Sequence, residues 1–353
     1  MELIELKNQM KRDSNFELLR ICCMLMIIGG HIIMIHRTFF DLWSFDFCIS
    51  LFLRGAFAVA VNAFVLISGY FGIRFKWQRL LRLDMQTVFY SVTLLVVALL
   101  LGWHTIDVKK DFLLLFPILS KQYWFITCYA VLYLISPLLN QWSESMEKKK
   151  YTKLLVIGFL IIYLWPTISY LFNASPFIDD AGYGIINFIY LYMLGQYIHH
   201  LYVDKYATRT YWGGFFCSIV LLFGAQYGLS FLLGFEFTSW ISYNTIFVFL
   251  GSICLFMAFG NMHFASSWIN TLAKPCLAVY LIHLHPCIWG NFCEMIGLQS
   301  FHGWKYLMLI VLPVGIYLVC ALIESMRMLI FRKVEDAFVS FIEQRMKAYP
   351  IRS

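Results

Sequence analysis

Charged residues are scarce in this chain, and their scarcity excludes an ordinary soluble protein. Asp, Glu, Lys and Arg make up 13% of the 353 residues, whereas a soluble domain of this length carries about 25%. Hydrophobic residues account for 61%, and no long polar stretch stands apart as a soluble domain. We therefore expect an integral membrane protein in which residues 1–353 form a single transmembrane domain, with a lead at 1–15 and a tail at 332–353.

Signals for metal binding, nucleic-acid binding and a cleaved leader are also missing. The ten cysteines form no C-x-x-C pair and no spacing typical of zinc, so they are interpreted as small buried residues. No metal is expected, because no Asp or Glu in the apolar runs completes a metal site. The net charge of +7 comes from basic residues in short loops and does not indicate nucleic-acid binding. No small-residue cleavage site closes the first apolar run, so this run is expected to remain as an anchor.

Apolar runs of sufficient length predict an all-α polytopic bundle of about ten transmembrane helices. No internal repeat is visible among them, which argues against a transporter built from inverted repeats. The predicted helices cover residues 16–36, 48–70, 84–103, 116–139, 153–172, 185–202, 212–233, 240–260, 274–294 and 306–331.

Lysine and arginine concentrate in alternate connections of this bundle. The third loop is an exception, but there Asp107 and Asp111 offset the lysines. Because cytoplasmic loops carry the excess of basic residues, both termini are predicted to be cytoplasmic. The basic connections contain Lys7, Lys11 and Arg12; Arg74, Lys76, Arg79 and Arg82; Lys148, Lys149, Lys150 and Lys153; Lys205 and Arg209; Lys274; and Arg332, Lys333, Arg345, Lys347 and Arg352.

The first span carries a track of ionisable residues. Arg20 and His31 are eleven residues apart, so they return to within about 20° of the same face and lie about 16 Å apart along the helix. Glu17 precedes Arg20 by three residues and can pair with its guanidinium. Ionisable residues inside a membrane are rare and are functional candidates by default.

His31 and Arg20 each have a functional and a structural interpretation. A histidine takes and returns protons near neutral pH, and the preceding Gly29 and Gly30 let another group come close. The alternative is a histidine that bonds a neighbouring helix for packing alone. Arg20 either binds an anion or extends its guanidinium to the headgroups.

A cluster of four cations follows the second span. Arg79 and Arg82 are three residues apart and share one face if their segment is helical. Guanidinium groups match phosphate oxygens, so the cluster predicts a site for a phosphorylated cytoplasmic ligand. The alternative is that the cations simply follow the cytoplasmic bias of membrane proteins. The four cations are Arg74, Lys76, Arg79 and Arg82.

Aromatic and histidine residues stand out in the fourth and ninth spans. Trp124 either anchors its span at the membrane surface or lines an outer cavity. His283 and His285 are two residues apart, so on a helix they point away from each other and a shared metal is not expected. Glu324 lies in the tenth span without an assigned role.

Together these residues resemble the bacterial membrane acyltransferase-3 family. The pattern of Glu17, Arg20 and His31 matches the first span of that family. Further similarities follow in the same order along nearly the whole chain, although Leu284 stands where some relatives carry an acidic residue. They are Ser68-Gly69-Tyr70 at the end of the second span, Arg79 and Arg82 after it, Tyr123-Trp124-Phe125 and Ser136-Pro137 in the fourth span, and Tyr280-Leu281-Ile282-His283 in the ninth.

The resemblance implies an O-acyltransferase of the bacterial cell membrane. Such an enzyme moves an acyl group, expected to be acetyl, from cytoplasmic acyl-CoA to a hydroxyl of a cell-surface or lipid-linked glycan. Acyl-CoA is then a co-substrate, no permanent cofactor is expected, and polysaccharide-assembly proteins are candidate partners. The chain ends soon after the tenth span and so resembles the short form without an esterase-like domain.

The resemblance also implies a role for each matching residue. The expected catalytic residues are His31, Arg20 and Glu17. Arg20 is expected to hold or orient the donor about three turns below His31, and Glu17 is expected to orient Arg20. His31 either deprotonates the acceptor hydroxyl or becomes acylated itself, and both routes stay open. The expected acyl-CoA-binding residues are Arg79, Arg82, Arg74 and Lys76. The expected acceptor-side or cavity residues are Trp124, Tyr123, Asn62, Ser68 and His283.

Two other functions stay open from the sequence alone. A transporter or flippase of a glycan or lipid also places arginine and histidine inside the membrane. A non-catalytic partner of a polysaccharide-assembly machine requires no chemistry at His31. The two rivals differ from an acyltransferase in predicting no use of acyl-CoA.

Overall fold

A computed structural model describes residues 14–36, 43–296 and 305–348. Every regular element within these ranges is helical, and eight helical segments within them are long and apolar enough to cross a membrane; two of these segments combine neighbouring helical elements, at Lys148–Leu171 and Ser239–Gly260. The all-α membrane fold is therefore confirmed, whereas the count of ten spans and the cytoplasmic position of the termini stay predictions. Lys7, Lys11, Arg12 and Arg352, which entered the orientation argument, lie outside the described residues.

The helices are numbered α1 to α14 in chain order. A π-helical turn at Leu160–Leu164 joins α6 to α7, and a 3₁₀ turn at Ser239–Ile241 precedes α10. The bounds are α1 Ser14–His36, α2 Phe45–Phe71, α3 Trp77–Leu100, α4 Val108–Leu113, α5 Trp124–Ser145, α6 Lys148–Phe159, α7 Trp165–Leu171, α8 Ile185–His200, α9 Thr208–Leu233, α10 Ile246–Gly260, α11 Ser267–Leu272, α12 Cys276–His283, α13 Trp289–Ile296 and α14 Lys305–Ala348.

Three helices begin or end well away from the predicted positions. Helix α3 begins at Trp77 rather than near residue 84, so Arg79 and Arg82 lie in its first turns and not in a loop. Helix α14 runs on to Ala348, so the predicted tail is helical as far as it is described. In these two cases polar residues at a helix end hid the continuation, because hydropathy marks the lipid-embedded part and not the whole helix. Helix α5 begins at Trp124 rather than near residue 116, because residues 114–123 form turns, and it ends at Ser145 rather than near residue 139.

The ninth predicted span, 274–294, is two helices rather than one. Helix α12 ends at His283, and α13 begins at Trp289. Pro286 lies between them; it has no backbone N–H and disfavours helical geometry in the residue before it. An apolar run alone does not reveal such a break.

His285 stabilises the broken backbone. Its Nε2 donates to the carbonyl oxygen of Ser91 on α3 at 3.0 Å, and its Nδ1 accepts the N–H of Cys287 at 3.3 Å. Irregular backbone at membrane depth is tolerated only where it is buried in protein, and His285 is fully buried. His283 and His285 therefore serve different neighbours, as their spacing predicts.

Cross-contacts between helix ends define the two ends of the bundle. The rings of Phe16 and Phe71 lie 5.2 Å apart, which joins the start of α1 to the end of α2. Lys148, at the start of α6, donates to the carbonyl oxygen of Leu201 just after α8 at 2.8 Å. We call this end the basic end and the opposite one the far end. The basic end contains Arg74, Arg79 and Lys148, and the far end contains Phe45, Trp124 and Trp289.

Helices α2 and α8 cross at two glycines. A Cβ atom on Gly69 would clash with the backbone carbonyl of Tyr192, and one on Gly195 would lie 2.6 Å from the carbonyl oxygen of Leu66. Small residues allow such close approach between membrane helices. The glycine of the Ser68-Gly69-Tyr70 motif thus has a packing role.

We expect Gly69→Ala to destabilise the bundle. Inserting a methyl group into a well-packed contact costs roughly 1–3 kcal/mol, because backbone or side chains must shift. The midpoint of thermal unfolding in detergent, followed by fluorescence, should therefore fall measurably. Gly224→Ala is the matched control, since a Cβ atom there meets nothing within 4 Å. Equal midpoints for the two variants would contradict the packing role.

Glu324 belongs to a buried polar network between α3 and α14. Its carboxylate accepts the Tyr90 hydroxyl at 2.5 Å and the Arg327 Nε at 2.7 Å. Arg327 also pairs with Glu335, eight residues further along α14, and lies 5.6 Å from the centre of the Phe89 ring. A charge inside a membrane protein is normally compensated in this way. The network fixes α14 to the helix that carries Arg79 and Arg82.

Candidate functional site

The ionisable track of α1 faces the interior of the bundle. Glu17 is buried, and its Oε1 accepts a charge-assisted hydrogen bond from Nη1 of Arg20 at 2.7 Å. The side chain of Arg20 is 27% exposed. Glu17 lies in the first turn of α1, where the helix dipole favours a carboxylate. The pairing predicted from the i, i+3 spacing is present and fixes the direction of the guanidinium.

His31 meets His283 of α12 across the bundle. Nδ1 of His31 lies 3.3 Å from Nε2 of His283, and Nδ1 of His283 lies 2.6 Å from the carbonyl oxygen of Val279. A carbonyl oxygen only accepts, so His283 donates from Nδ1 and its neutral ring accepts at Nε2. His31 then donates from Nδ1. The chain of hydrogen bonds leaves Nε2 of a neutral His31 as the basic nitrogen.

Neighbouring residues hold the two imidazoles in place. Trp289 of α13 packs edge-on against both, with ring centres 6.3 Å from His31 and 5.5 Å from His283. A Cβ atom on Gly29 would lie 2.9 Å from the Phe57 ring, so the predicted close approach below His31 is made by Phe57. His283 is 3% exposed and lies behind His31.

A central cavity of about 590 Å³ runs along the track of α1. Glu17 and Arg20 border it toward the basic end, and His31 borders it toward the far end. Its middle is largely apolar and of a size usual for small-molecule sites. The middle wall is formed by Met24, Ile27, Val61, Phe64, Phe125, Ile126 and Leu277.

A second cavity of about 460 Å³ adjoins the central one at the basic end. The two share Arg20, Ser68 and Tyr129 among their lining residues. Three cations of the cluster that follows α2 also line the second cavity, namely Arg74, Arg79 and Arg82. Of these, Arg82 is paired with Asp336 of α14 at 2.6 Å.

A third cavity of about 200 Å³ adjoins the central one at the far end. His31, Tyr183 and Tyr243 line both of them. Arg54 of α2 also lines this third cavity, and its Nη1 lies 2.7 Å from Oε1 of Glu236. The three cavities thus follow one another through the bundle, with Arg20 at the first junction and His31 at the second.

Aromatic rings form the far-end wall of the central cavity. The ring of Trp124 lies 4.5 Å from that of Tyr183 and 5.8 Å from that of Tyr243, and the two tyrosine rings lie 4.8 Å apart. Of the two interpretations of Trp124, the structure places it in a cavity wall. The loops that carry Tyr183 and Tyr243 are joined by the hydrogen bond from the Tyr243 N–H to the carbonyl of Ala181 at 3.0 Å.

Four sequence-predicted site residues do not line these three cavities, and one of them is His283, which lies behind His31. Lys76 is exposed at the start of α3. Tyr123 is buried behind Trp124 and donates to the carbonyl of Leu281 at 3.1 Å, which steadies α12. Asn62 is fully buried and donates to the carbonyl of Tyr243 at 2.9 Å. Tyr123 and Asn62 therefore support the walls of the site from behind.

The sequence interpretation missed residues of the far end. Arg54 lies inside the second predicted span, so the reasoning applied to Arg20 would have singled it out. Tyr183 and Tyr243 lie in the connections just before α8 and α10. No local sequence pattern distinguishes them from ordinary interfacial aromatics. Arg327 was missed as the partner of Glu324, although it follows it by three residues.

A comparison with protein families assigns this chain to a family. The model of the acyltransferase-3 family, described as an acyltransferase domain, matches residues 13–326. The match covers the greater part of the chain, from α1 into α14, and confirms the resemblance inferred from the motifs. No curated protein and no solved structure matches the chain. The chain belongs to the acyltransferase-3 family and is a multi-pass membrane acyltransferase.

Proposed function

We propose that this protein is an O-acyltransferase that uses acyl-CoA at the basic end and acylates a glycan hydroxyl at the far end. The observation that carries the proposal is the succession of three adjoining cavities with His31 at the junction of the second and third. The reaction type, acyl transfer, is inferred from membership of the family. The proposal includes the direction: the basic end faces the cytoplasm of a bacterial cell.

The basic-end cavity suits the phosphorylated part of the donor. Arg74 and Arg79 line it, and planar guanidinium groups hold phosphate oxygens by paired hydrogen bonds. Arg20 borders both this cavity and the central one, so it can orient the diphosphate or the start of the pantetheine arm. The apolar middle of the central cavity then suits the arm itself. Its thioester would reach His31.

Nε2 of His31 serves either of two routes. In direct transfer it takes the proton of the acceptor hydroxyl, the oxygen attacks the thioester carbonyl, the C–S bond breaks, and the CoA thiolate takes the proton back. In the stepwise route Nε2 attacks the thioester carbonyl, the C–S bond breaks, and CoA leaves as a thiolate that takes up the Nδ1 proton of the acylated ring, which leaves a neutral acyl-imidazole and the thiol. The acceptor hydroxyl then attacks the acyl group and releases the imidazole. Both routes give free CoA and an ester.

The decisive experiment is a transfer assay with the purified protein in liposomes. Labelled acetyl-CoA is added together with a glycolipid and lipid-linked glycan extract of the host, and ester-linked label in the glycan fraction is measured. We expect label that mild alkali removes and that requires the protein. Movement of glycan across the liposome membrane without any labelled ester would instead favour the flippase.

We expect Arg79→Gln to weaken donor use. Loss of one phosphate-binding guanidinium removes a charge-assisted hydrogen bond worth about 1.5–3 kcal/mol, which corresponds to a KM for acetyl-CoA raised about tenfold or more. The KM for the acceptor should stay unchanged. The steady-state assay above measures both, with Arg209→Gln as control because Arg209 is exposed and lines none of the three cavities. An unchanged donor KM would remove Arg79 from the site.

A further inference from the structure

Arg54 is a second arginine inside the membrane-spanning part of the bundle. It lies in the tenth position of α2 and is 9% exposed. Its head group pairs with Glu236, which follows α9 in the chain. A buried arginine in a membrane helix normally faces a protein interior or a pathway, and this one lines the far-end cavity.

The far-end cavity combines hydrogen-bonding groups with aromatic surface. Arg54 supplies N–H donors, while Thr238 and Ser242 belong to the lining and carry hydroxyl groups that both donate and accept. Tyr183 and Tyr243 add aromatic rings as well as phenolic hydroxyls. Sugars present the same two features, namely hydroxyl groups around the ring edge and C–H groups on its faces.

His31 connects this cavity to the proposed chemistry. It lines the far-end cavity together with Arg54 and also borders the central cavity. A group held by Arg54 therefore lies in the same small space, about 200 Å³, as the imidazole that performs the transfer. The volume suits one sugar ring rather than an oligosaccharide.

We propose that Arg54, with Tyr183 and Tyr243, binds one neutral sugar ring of the acceptor and presents its hydroxyl to His31. This inference rests on the proposed O-acyltransferase function and adds the acceptor class. The ion pair with Glu236 argues for a neutral ring. Because the carboxylate at 2.7 Å already balances the guanidinium, an acidic sugar gains little charge compensation there.

The test compares two replacements of Arg54 in the liposome transfer assay. Arg54→Lys keeps the positive charge and the pairing with Glu236 but loses the planar fork of donors. We expect the KM for the acceptor to rise at least tenfold while the KM for acetyl-CoA stays within twofold. The exchange Arg54→Glu with Glu236→Arg restores an ion pair in reversed order. We expect it to recover thermal stability relative to Arg54→Glu alone but not the acceptor KM.

Small glycosides test the preference for a neutral ring. Methyl glucoside and methyl glucuronide are added as competitors of the glycan acceptor, and the neutral one should inhibit transfer at a concentration at least tenfold lower. Arg54→Lys should weaken inhibition by both glycosides, because it loses the planar fork of donors but keeps the charge that Glu236 balances. A better inhibition by the glucuronide would overturn the neutral-ring assignment.

The outcomes separate this subsite from the function on which it rests. If the wild-type protein transfers no label from acetyl-CoA, the O-acyltransferase proposal fails. If it transfers label and Arg54→Lys or the charge exchange shows the wild-type acceptor KM, Arg54 only ties α2 to the segment after α9 and the subsite is wrong. A raised donor KM in Arg54→Lys would overturn it as well.

Discussion

His31→Ala abolishes ester formation while the protein still folds and inserts, if the imidazole performs the transfer. General acid–base catalysis by a positioned side chain contributes about 10²–10⁴-fold to a rate, and loss of an acylated nucleophile closes the stepwise route entirely. Labelled ester in the glycan fraction should therefore fall at least a hundredfold. The bundle should survive, because His31 lines a cavity and its loss leaves no packed void.

The matched control for this variant is His263→Ala. His263 is exposed in the connection between α10 and α11 and lines none of the three cavities, so wild-type transfer is expected. Equal ester content of surface glycan from His31→Ala and wild-type cells would falsify the assignment. Label on the wild-type protein that both mild acid and neutral hydroxylamine release, and that is absent from His31→Ala, would select the stepwise route.

His283→Ala should lower kcat about 10–100-fold, which is the usual cost of removing the partner that orients a functional histidine. In the tautomer assigned above, Nε2 of His283 accepts a hydrogen bond from Nδ1–H of His31, which leaves Nε2 of His31 unprotonated toward the cavity. Without it both tautomers of His31 are populated, and the ring can rotate. The KM for acetyl-CoA should change little, because the donor's phosphates lie at the basic end in this proposal.

His283→Gln distinguishes a positioning role from simple packing. The amide oxygen of glutamine can accept the same proton, so part of the lost kcat should return, whereas the alanine variant lacks any acceptor. The pH dependence of kcat should also shift in the alanine variant and return toward the wild-type profile with glutamine. If alanine and glutamine give the same rate and profile, His283 only packs against Trp289.

The basic-end residues of the candidate site were largely predictable from the sequence. Glu17, Arg20 and His31 share one helix, and helical geometry alone places them on one face. The cations after α2 follow from a local charge cluster. Only the family resemblance connected these two sets of residues, because no sequence periodicity indicates that Arg20 borders the same cavity as Arg79.

The far-end part of the site could not be predicted from the sequence, because it depends on contacts between distant parts of the chain. His31 and His283 are 252 residues apart, and their contact requires that α12 stops at His283 before Pro286. The sequence predicts a continuous span there, in which the depth of His283 is not fixed. Tyr183 and Tyr243 enter the site from connecting segments whose path only the assembled bundle determines.

The adjoining cavities have a consequence for the electrical insulation of the membrane. Protons and small ions move along connected water molecules, so an unbroken water column between the two ends would discharge the gradient that the cell maintains. Water needs several polar partners to settle in a cavity, and Met24, Phe64 and Leu277 offer few in the middle of the central one. These apolar side chains therefore help to preserve the ion gradient across the membrane, in addition to any role in substrate binding.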